Sequence, residues 1–551
     1  MSGKRGAAQF SWSYRHLPGD AARAFRLLGS HPGPDIDLYA AAALTGTDLH
    51  QAHRMLAQLT RANLVHHSGY GRYSMHDLLQ AFASRLARTD APNSERRDGL
   101  SRLFDHYLHT AAAATGTLFP AEQHRRTHVG AVTTSGRQIS TPAAAGAWLD
   151  NERATLVNAA SHADEHGWPA HAVALAAVLF RYLDGGYYSD AMTVHSHARD
   201  AAARIHDETA EAHALTDLGC TLFRQSRFPA AVEHLQQAYD IFARTGNEHG
   251  QARAANNLGI VNWALGQYTR AAEHHRQAAD LYQKAGDRLG HAAAVKNLGI
   301  DYWQQGQYET AARHYHRAHD LFGQVDDRRG EAEALNCLGD FELQQTRFIR
   351  ARNHYRKALG IYQQLGDHRG QAHTLDNIGD VDLHEGHPRA AADHYRQAVD
   401  IHQQLGDHRG QAHALDDLGR AELRQGHHQA ATDHHQQALG IFRQIHHPAG
   451  EISALNGLGE AAQATGHNRR ARIHHTAALA LAIETGDRHE QARAHDGLAR
   501  TFRSTGETDQ ARLHWRHALM LYTDLGISDA DDVRAHLTAL DRAGNGPDDQ
   551  R

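Results

Sequence analysis

The chain has 551 residues, of which 22% are charged, and a formal net charge of −6 with histidine neutral. So even a balance excludes a protein that coats polyanions by bulk charge, and no run approaches the roughly 18 apolar residues of a membrane span. Met1-Ser2-Gly3-Lys4-Arg5 opens without an apolar leader region. Cys220 and Cys337 are the two cysteines, far apart, and they suit a reducing compartment as small buried side chains. The expected location is the cytoplasm.

In chain order, residues 21–28, 37–44 and 48–63 read as three helices. The stretch Leu64-Val65-His66-His67, the turn Ser68-Gly69-Tyr70-Gly71 and then Arg72-Tyr73-Ser74-Met75 read as a two-stranded hairpin. Three helices followed by such a wing predict a winged helix over 1–92. Helices are expected next at 76–90 and 95–115, then a polar loop near 121–141 and a helix at 143–163, so that 93–165 forms a helical linker. The third helix would expose His50, Gln51, His53, Arg54, Gln58 and Arg61, with Arg72 in the wing. Residues 1–137 hold 16 Lys or Arg against 10 Asp or Glu. Gln51, Arg54, Arg61 and Arg72 are therefore the candidates for contact with DNA phosphates and base edges.

From about residue 209 a pattern returns every forty residues. Leu218-Gly219 recurs as Leu258-Gly259, Leu298-Gly299, Leu338-Gly339, Ile378-Gly379, Leu418-Gly419 and Leu458-Gly459. Ala231 recurs through Ala271 and Ala311 to Ala511, and Ala238 through Ala278 to Ala518. Such a period means stacked supersecondary units. Each unit resolves into two helices. The first aligns Ala255, Leu258, Gly259 and Asn262 at i, i+3, i+4, i+7, and the second aligns Ala311, Tyr315, Ala318 and Leu321. The glycine is expected to face the alanines at 271 and 278 and to let the backbones approach. Gly266, Gly306, Gly386, Gly426, Gly466 and Gly506 should close first helices in a left-handed conformation. In Leu365-Gly366-Asp367-His368-Arg369-Gly370, Gly ends one helix and Asp caps the next. Eight clear units run to about 526, behind a degraded ninth that keeps Ala191 and Ala198 in register; the expected solenoid spans 166–526. A capping helix at 529–541 and a polar tail at 544–551 follow.

This order of small and large residues resembles the tetratricopeptide repeat in a forty-residue form. The predicted fold class is therefore mostly α, a winged helix followed by a right-handed tetratricopeptide α-solenoid. A second resemblance rests on Tyr14-Arg15-His16-Leu17-Pro18, Phe25-Arg26-Leu27-Leu28-Gly29, Met75-His76-Asp77-Leu78-Leu79 and Ala147-Trp148-Leu149-Asp150, with Glu152-Arg153 and Leu156-Val157. Together these are similar to the C-terminal half of actinobacterial antibiotic-regulatory (SARP-type) large regulators. Those are STAND-class signalling ATPases with an NB-ARC module, a winged helix and a tetratricopeptide sensor. The resemblance implies that His76, with Asp77, would approach a nucleotide β-phosphate. No Gly-x-x-x-x-Gly-Lys-Ser/Thr loop and no acidic Walker B strand is present to hold phosphates and Mg²⁺. The chain is expected to lack the nucleotide-binding part, so that His76 would need a separate ATPase chain to complete a site.

The polar faces of the first helices are the expected peptide-binding groove. Asn256, Asn257, Lys296 and Asn297 occupy it in repeats two and three, with Trp263 and Trp303 nearby. Repeats four to six turn acidic through Asp340, Glu342, Asp376, Asp380, Asp382, Asp416, Asp417 and Glu422, with Asn377 among them, and the last repeat brings Arg493, Arg500 and Arg503. Asn pairs both polar groups of an extended backbone, and the acidic stretch favours a basic segment. The expected function is a non-enzymatic regulatory module that binds a protein or peptide, in signalling or transcriptional control; DNA binding through the winged helix is the alternative. No cofactor is expected. No metal site is expected either. The 49 histidines include one at each of His234, His274, His314, His354, His394, His434, His474 and His514. Such stacked positions lie roughly 10 Å apart, whereas zinc gathers nitrogens at about 2 Å. Half-exposed, several would gain charge near the ordinary histidine range.

Overall fold

The computed structural model describes residues 11–69, 71–90, 92–120, 139–526 and 529–544. Tyr70 of the expected turn, most of the polar loop and the last seven residues of the tail lie outside them. No described helix is long and apolar enough to cross a membrane. The chain divides into two compact units, Met1–Gln305 and Gly306–Arg551.

The first unit opens with α1 (Gly19–Leu28), β1 (Asp35–Asp37), α2 (Leu38–Thr45), α3 (Leu49–Arg61), β2 (His66–Gly69) and β3 (Arg72–Ser74). Aspartates start two of these helices. Asp37 Oδ1 accepts from Ala40 N at 2.8 Å, and Asp48 Oδ1 accepts from Gln51 N at 2.7 Å, filling donors that a helix start leaves bare. The sheet has three antiparallel strands in the order β1-β3-β2, with Ile36 and His67 on either side of Tyr73. Only the hairpin is legible as pattern: Asp35–Asp37 is too short to show a period of two, and Asp37 doubles as a helix cap.

Beyond the sheet come α4 (Asp77–Thr89), α5 (Asn93–Leu118) and α6 (Pro142–His166). One apolar core runs from Phe25, Leu44 and Leu59 through Leu103, Phe104, Tyr107, Leu149 and Leu156 to Leu175 and Val194. The segment expected as a linker thus contributes the middle of that core. Gly99 lets α5 press against α2: a Cβ there would lie 2.9 Å from Leu44 O. Asp150 accepts from Tyr182 Oη at 2.6 Å and Tyr187 Oη at 3.0 Å, which fastens α6 to the first helical pair, Pro169–Leu183 and Tyr188–Arg204.

Sixteen described helices follow, two to each forty-residue step of the sequence. They are Glu208–Arg224 with Phe228–Thr245, Glu248–Ala264 with Tyr268–Lys284, Arg288–Gln304 with Tyr308–Gln324, and Arg328–Gln344 with Phe348–Leu365. The remaining four pairs are His368–His384 with Pro388–Leu405, His408–Arg424 with His428–Gln444, Pro448–Ala464 with Asn468–Thr485, and Arg488–Ser504 with Thr508–Leu525. We number the pairs repeats one to eight. The expected left-handed closures are present, Gly266 at φ 72° and Gly386 at φ 80° among them; Ser226 and Thr346 hold the same conformation in repeats one and four.

The glycine of the Leu-Gly pair meets a different neighbour from the one expected. Its nearest neighbour is the large residue between the two alanines, with Ala231 O 3.3 Å from where Gly219 would carry a Cβ. A Cβ on Gly219 would meet Leu235 Cγ at 2.6 Å and one on Gly379 would meet Tyr395 Cε1 at 2.6 Å; Gly339 faces Tyr355, and Gly259, Gly419 and Gly459 face the rings of His275, His435 and His475. The alanines are buried on either side, and the glycine's missing side chain is the socket. A second socket lies at each seam. Asp367 Oδ1 accepts from Gly370 N at 3.0 Å, and Gly370 has no room for a Cβ because the Tyr362 ring of the preceding helix fills it. Nine residues, Leu365 to His373, recur unchanged as Leu405 to His413. The helix Asp529–Gly544 closes the second unit by laying Ala530, Val533 and Leu540 against Trp515, Leu521 and Tyr522.

Candidate functional site

The first helices carry their polar residues at recurring positions, and these sort into two groups, one per unit. In the first unit Asn297 Nδ2 donates to Asn256 Oδ1 at 3.2 Å across neighbouring first helices, and Asn257 Nδ2 donates back to Arg253 O at 3.0 Å. Asn256, Asn257, Lys296, Asn297 and Trp303 are half-buried, and Trp263 is exposed. The asparagines on that face therefore engage one another or their own helix.

In the second unit the structure brings together Asp340, Asn377, Asp380 and Asp417. Tyr355 Oη donates to Asp340 Oδ1 at 2.6 Å, and Asn377 Nδ2 lies 3.4 Å from the same oxygen. Tyr395 Oη donates to Asp380 Oδ1 at 2.7 Å in the same geometry one repeat later. The ring that fills the Gly379 socket thus also places its hydroxyl on the polar face. Arg420 pairs with Asp417 and lies 3.9 Å from Asp380. Asp376 approaches His402 Nε2 at 3.5 Å, and His402 also approaches Asp407 at 3.3 Å.

The electrostatics follow from burial. Loss of water pushes Asp376 up to about 7, with His402 opposing and Asp417 adding. Burial and then repulsion from Asp417 lift Asp380 to about 6, with Arg420 opposing. Asp340 is likewise raised by burial. Of the four carboxylates on this face, Asp380 and Asp417 thus meet Arg420, and Asp376 meets His402.

Three of the expected contact residues are already engaged within the fold. Asp416 is 4% exposed; its Oδ1 takes a bond from His435 Nδ1 at 2.7 Å and its Oδ2 one from Ser453 Oγ at 2.7 Å. Despite burial, that pairing holds it near 2. Arg493 lies 2.7 Å from Glu460 and 3.5 Å from Glu490, so its charge is met inside the fold. Arg72 does not project from the wing: its Nε donates to Asp35 Oδ1 at 3.0 Å, and it also pairs with the buried Glu152 of α6. Arg500 is exposed but tied to Asp496 at 2.8 Å, and Arg503 lies over the Trp515 ring at 5.8 Å.

Gln51, Arg54 and Arg61 are exposed along α3, and Arg54 has no ion-pair partner among the described residues. His76 and Asp77 are exposed at the start of α4, where His76 Nδ1 accepts from Leu78 N at 3.4 Å. The periodic histidines are half-buried as expected, but burial lowers His234, His274, His354, His434, His474 and His514 below the ordinary value. They gain charge only in stronger acid than expected.

The neighbouring histidines were missed as a class. His275 Nδ1 pairs with Asp301 at 2.5 Å and His475 Nδ1 with Asn456 at 3.1 Å, both fully enclosed. Their signal was in the sequence: they sit in the column that holds Tyr355 and Tyr395 in other repeats. Asp382, Glu385 and His387 hold ligand atoms within 4.8 Å of one another. Arg352 already lies 2.5 Å from each of the two carboxylates and supplies the positive charge there.

The comparisons agree with this architecture. Residues 250–324, 330–404 and 393–444 match one tetratricopeptide-repeat family model, and residues 212–245 match another. The chain is 34% identical over 233 residues to the regulatory protein AfsR of Streptomyces griseus, covering 42% of this chain and 24% of that one. It is 39% identical over 120 residues to the regulatory protein AfsR of Streptomyces coelicolor, covering 21% and 12%. The chain thus spans less than a quarter of the length of these curated relatives. Its fold is similar to that of a signal transduction ATPase with numerous domains (STAND) protein with a tetratricopeptide repeat sensor from Pyrococcus horikoshii. The TM-score there is 0.56 at 11% identity, covering 91% of this chain and 66% of that one. The chain carries a tetratricopeptide α-solenoid and is similar in sequence to regulatory proteins.

Proposed function

We propose that this protein is a non-enzymatic regulatory module, acting in signalling or transcriptional control, that binds a protein or peptide segment along the polar faces of its first helices. The observation that carries the reading is the cluster of four carboxylates at Asp340, Asp376, Asp380 and Asp417, met by Arg420 at Asp380 and Asp417 and by His402 at Asp376. Burial holds Asp376 and Asp380 above the ordinary carboxylate range. A Lys or Arg of a partner would stabilise their charged forms and release protons on binding. The partner segment is therefore basic.

The test is a set of extended synthetic peptides of equal length and differing charge, titrated against the full chain. Basic peptides should bind, and Asp376→Asn with Asp380→Asn should weaken them at least about tenfold, or 1.4 kcal/mol. Affinity should also fall as pH drops from above 7 to below 6, because protonation removes the attraction. Binding indifferent to peptide charge would remove this reading.

A second reading is supported by the helix–strand–helix–helix–strand–strand order of residues 19–74, that of a winged helix. Gln51, Arg54 and Arg61 stand exposed on its third helix. If it contacts DNA, Arg54→Ala with Arg61→Ala in the full chain should weaken duplex binding and reduce its salt slope by about 2.

A further inference from the structure

We propose that the exposed face of the second helix of repeat seven, Asn468–Thr485, is a self-association surface that seats a second copy of this chain antiparallel to it. In the eight repeats the second helix presents the same five positions to solvent, Gly360 of repeat four alone being half-buried. They read Glu273, Arg276, Gln277, Asp280 and Gln283 in repeat two, and Asp393, Arg396, Gln397, Asp400 and Gln403 in repeat five; each of repeats one to six carries at least two charges there. Repeat seven carries none: Ile473, Thr476, Ala477, Ala480 and Ile483, all exposed, with the two isoleucines at 57% and 60%. Repeat eight continues the change with Leu513 at 47% and Met520 at 54% exposed. The terminal helix does not cover them, since it packs on Trp515, Leu521 and Tyr522. An uncharged stripe flanked by two isoleucines, on a face that carries at least two charges in each of six other copies, marks an interaction surface.

The stripe's order selects the occupant. Reflected about Ala478, Ile473 meets Ile483 and Thr476 meets Ala480. Arg472 then meets Glu484 and Arg469 meets Asp487, so these two flanking charges face their opposites, while Arg470 faces Gly486. Arg472, Glu484 and Arg469 are exposed, and Asp487 is half-buried at the helix start. Antiparallel copies therefore match through one patch used twice, the requirement of an isologous two-fold contact. Alanine and threonine at the centre allow the axes to approach to the short end of the roughly 8–10 Å range. A partner lacking this reversed order would match the isoleucines but not both charged ends.

Sedimentation velocity of the full chain across loading concentrations tests this independently of peptide binding, because the stripe lies on second helices and the carboxylates on first helices. A dimer is expected, weakened at least about tenfold by Ile473→Glu or Ile483→Glu, with circular dichroism and melting unchanged because both side chains are exposed. Arg472→Glu should weaken the dimer, and adding Glu484→Arg to the same chain should restore it. A chain that stays monomeric up to about 100 µM, a dimer indifferent to Ile473→Glu, or a stripe occupied only by a different protein would overturn the proposal. Failure of the charge swap to restore the dimer would overturn the antiparallel register.

Discussion

A glycine inside a helix ordinarily weakens it, so Gly→Ala in mid-helix is expected to stabilise by up to about 1 kcal/mol. At Gly379 the opposite sign is expected. A Cβ there would lie 2.6 Å from Tyr395 Cε1 and 2.9 Å from Cδ1, in a ring that is fully buried. Gly379→Ala should therefore cost about 1–3 kcal/mol in urea unfolding, and Gly360→Ala, with open space around it, serves as the stabilising control. The acidic face carries its own signature at this scale. Folded Asp376 and Asp380 hold protons that the unfolded chain has released, so their contribution to stability grows as pH falls from about 7 toward 3.8. Replacing both by Asn should flatten that part of the stability–pH curve. Asp416 works the other way: held near 2, its stabilisation is present above 3.8 and is lost as pH falls toward 2.

At the level of the helix, the seam residues act as pairs. Asp367 caps the helix that Gly370 brings against Tyr362. Asp367→Ala should cost about 1 kcal/mol, and hydrogen exchange should quicken first in His368–His384. Much of this was legible. Small residues at fixed offsets announced two helices per forty residues, and Asp before x-x-Gly announced the cap. What stayed hidden depended on distance along the chain. Arg72 looked like a free cation in a hairpin, but its partner Glu152 lies eighty residues away and nothing local marks it. Asp416 and Arg493 repeat polar columns and so read as surface, while their burial is decided by His435 and Glu460 on other helices. The third strand was too short to have a pattern, and the identity of the glycine's neighbour needed the packing itself.

For the molecule as a whole, two compact units share one repeat logic, yet each ends differently. The first begins in a core that runs without a break from the small sheet into the early helices. The second ends in a single helix whose Ala530, Val533 and Leu540 cover Trp515 and Tyr522. Removing residues 529–551 should leave the earlier repeats protected and accelerate hydrogen exchange in Thr508–Leu525, as expected where stability is a sum over neighbours.

The duplicated seam has a consequence for inheritance. Cutting out 366–405 would join Leu365 to Gly406 and rebuild Leu-Gly-Asp-His-Arg-Gly with its cap, its socket and the incoming ring of Tyr362 all intact. Copying that block instead of deleting it would be equally silent at the junction. Such a chain can lengthen or shorten by recombination in whole steps, and each product meets the folding machinery with nothing at the splice to mark where the change was made.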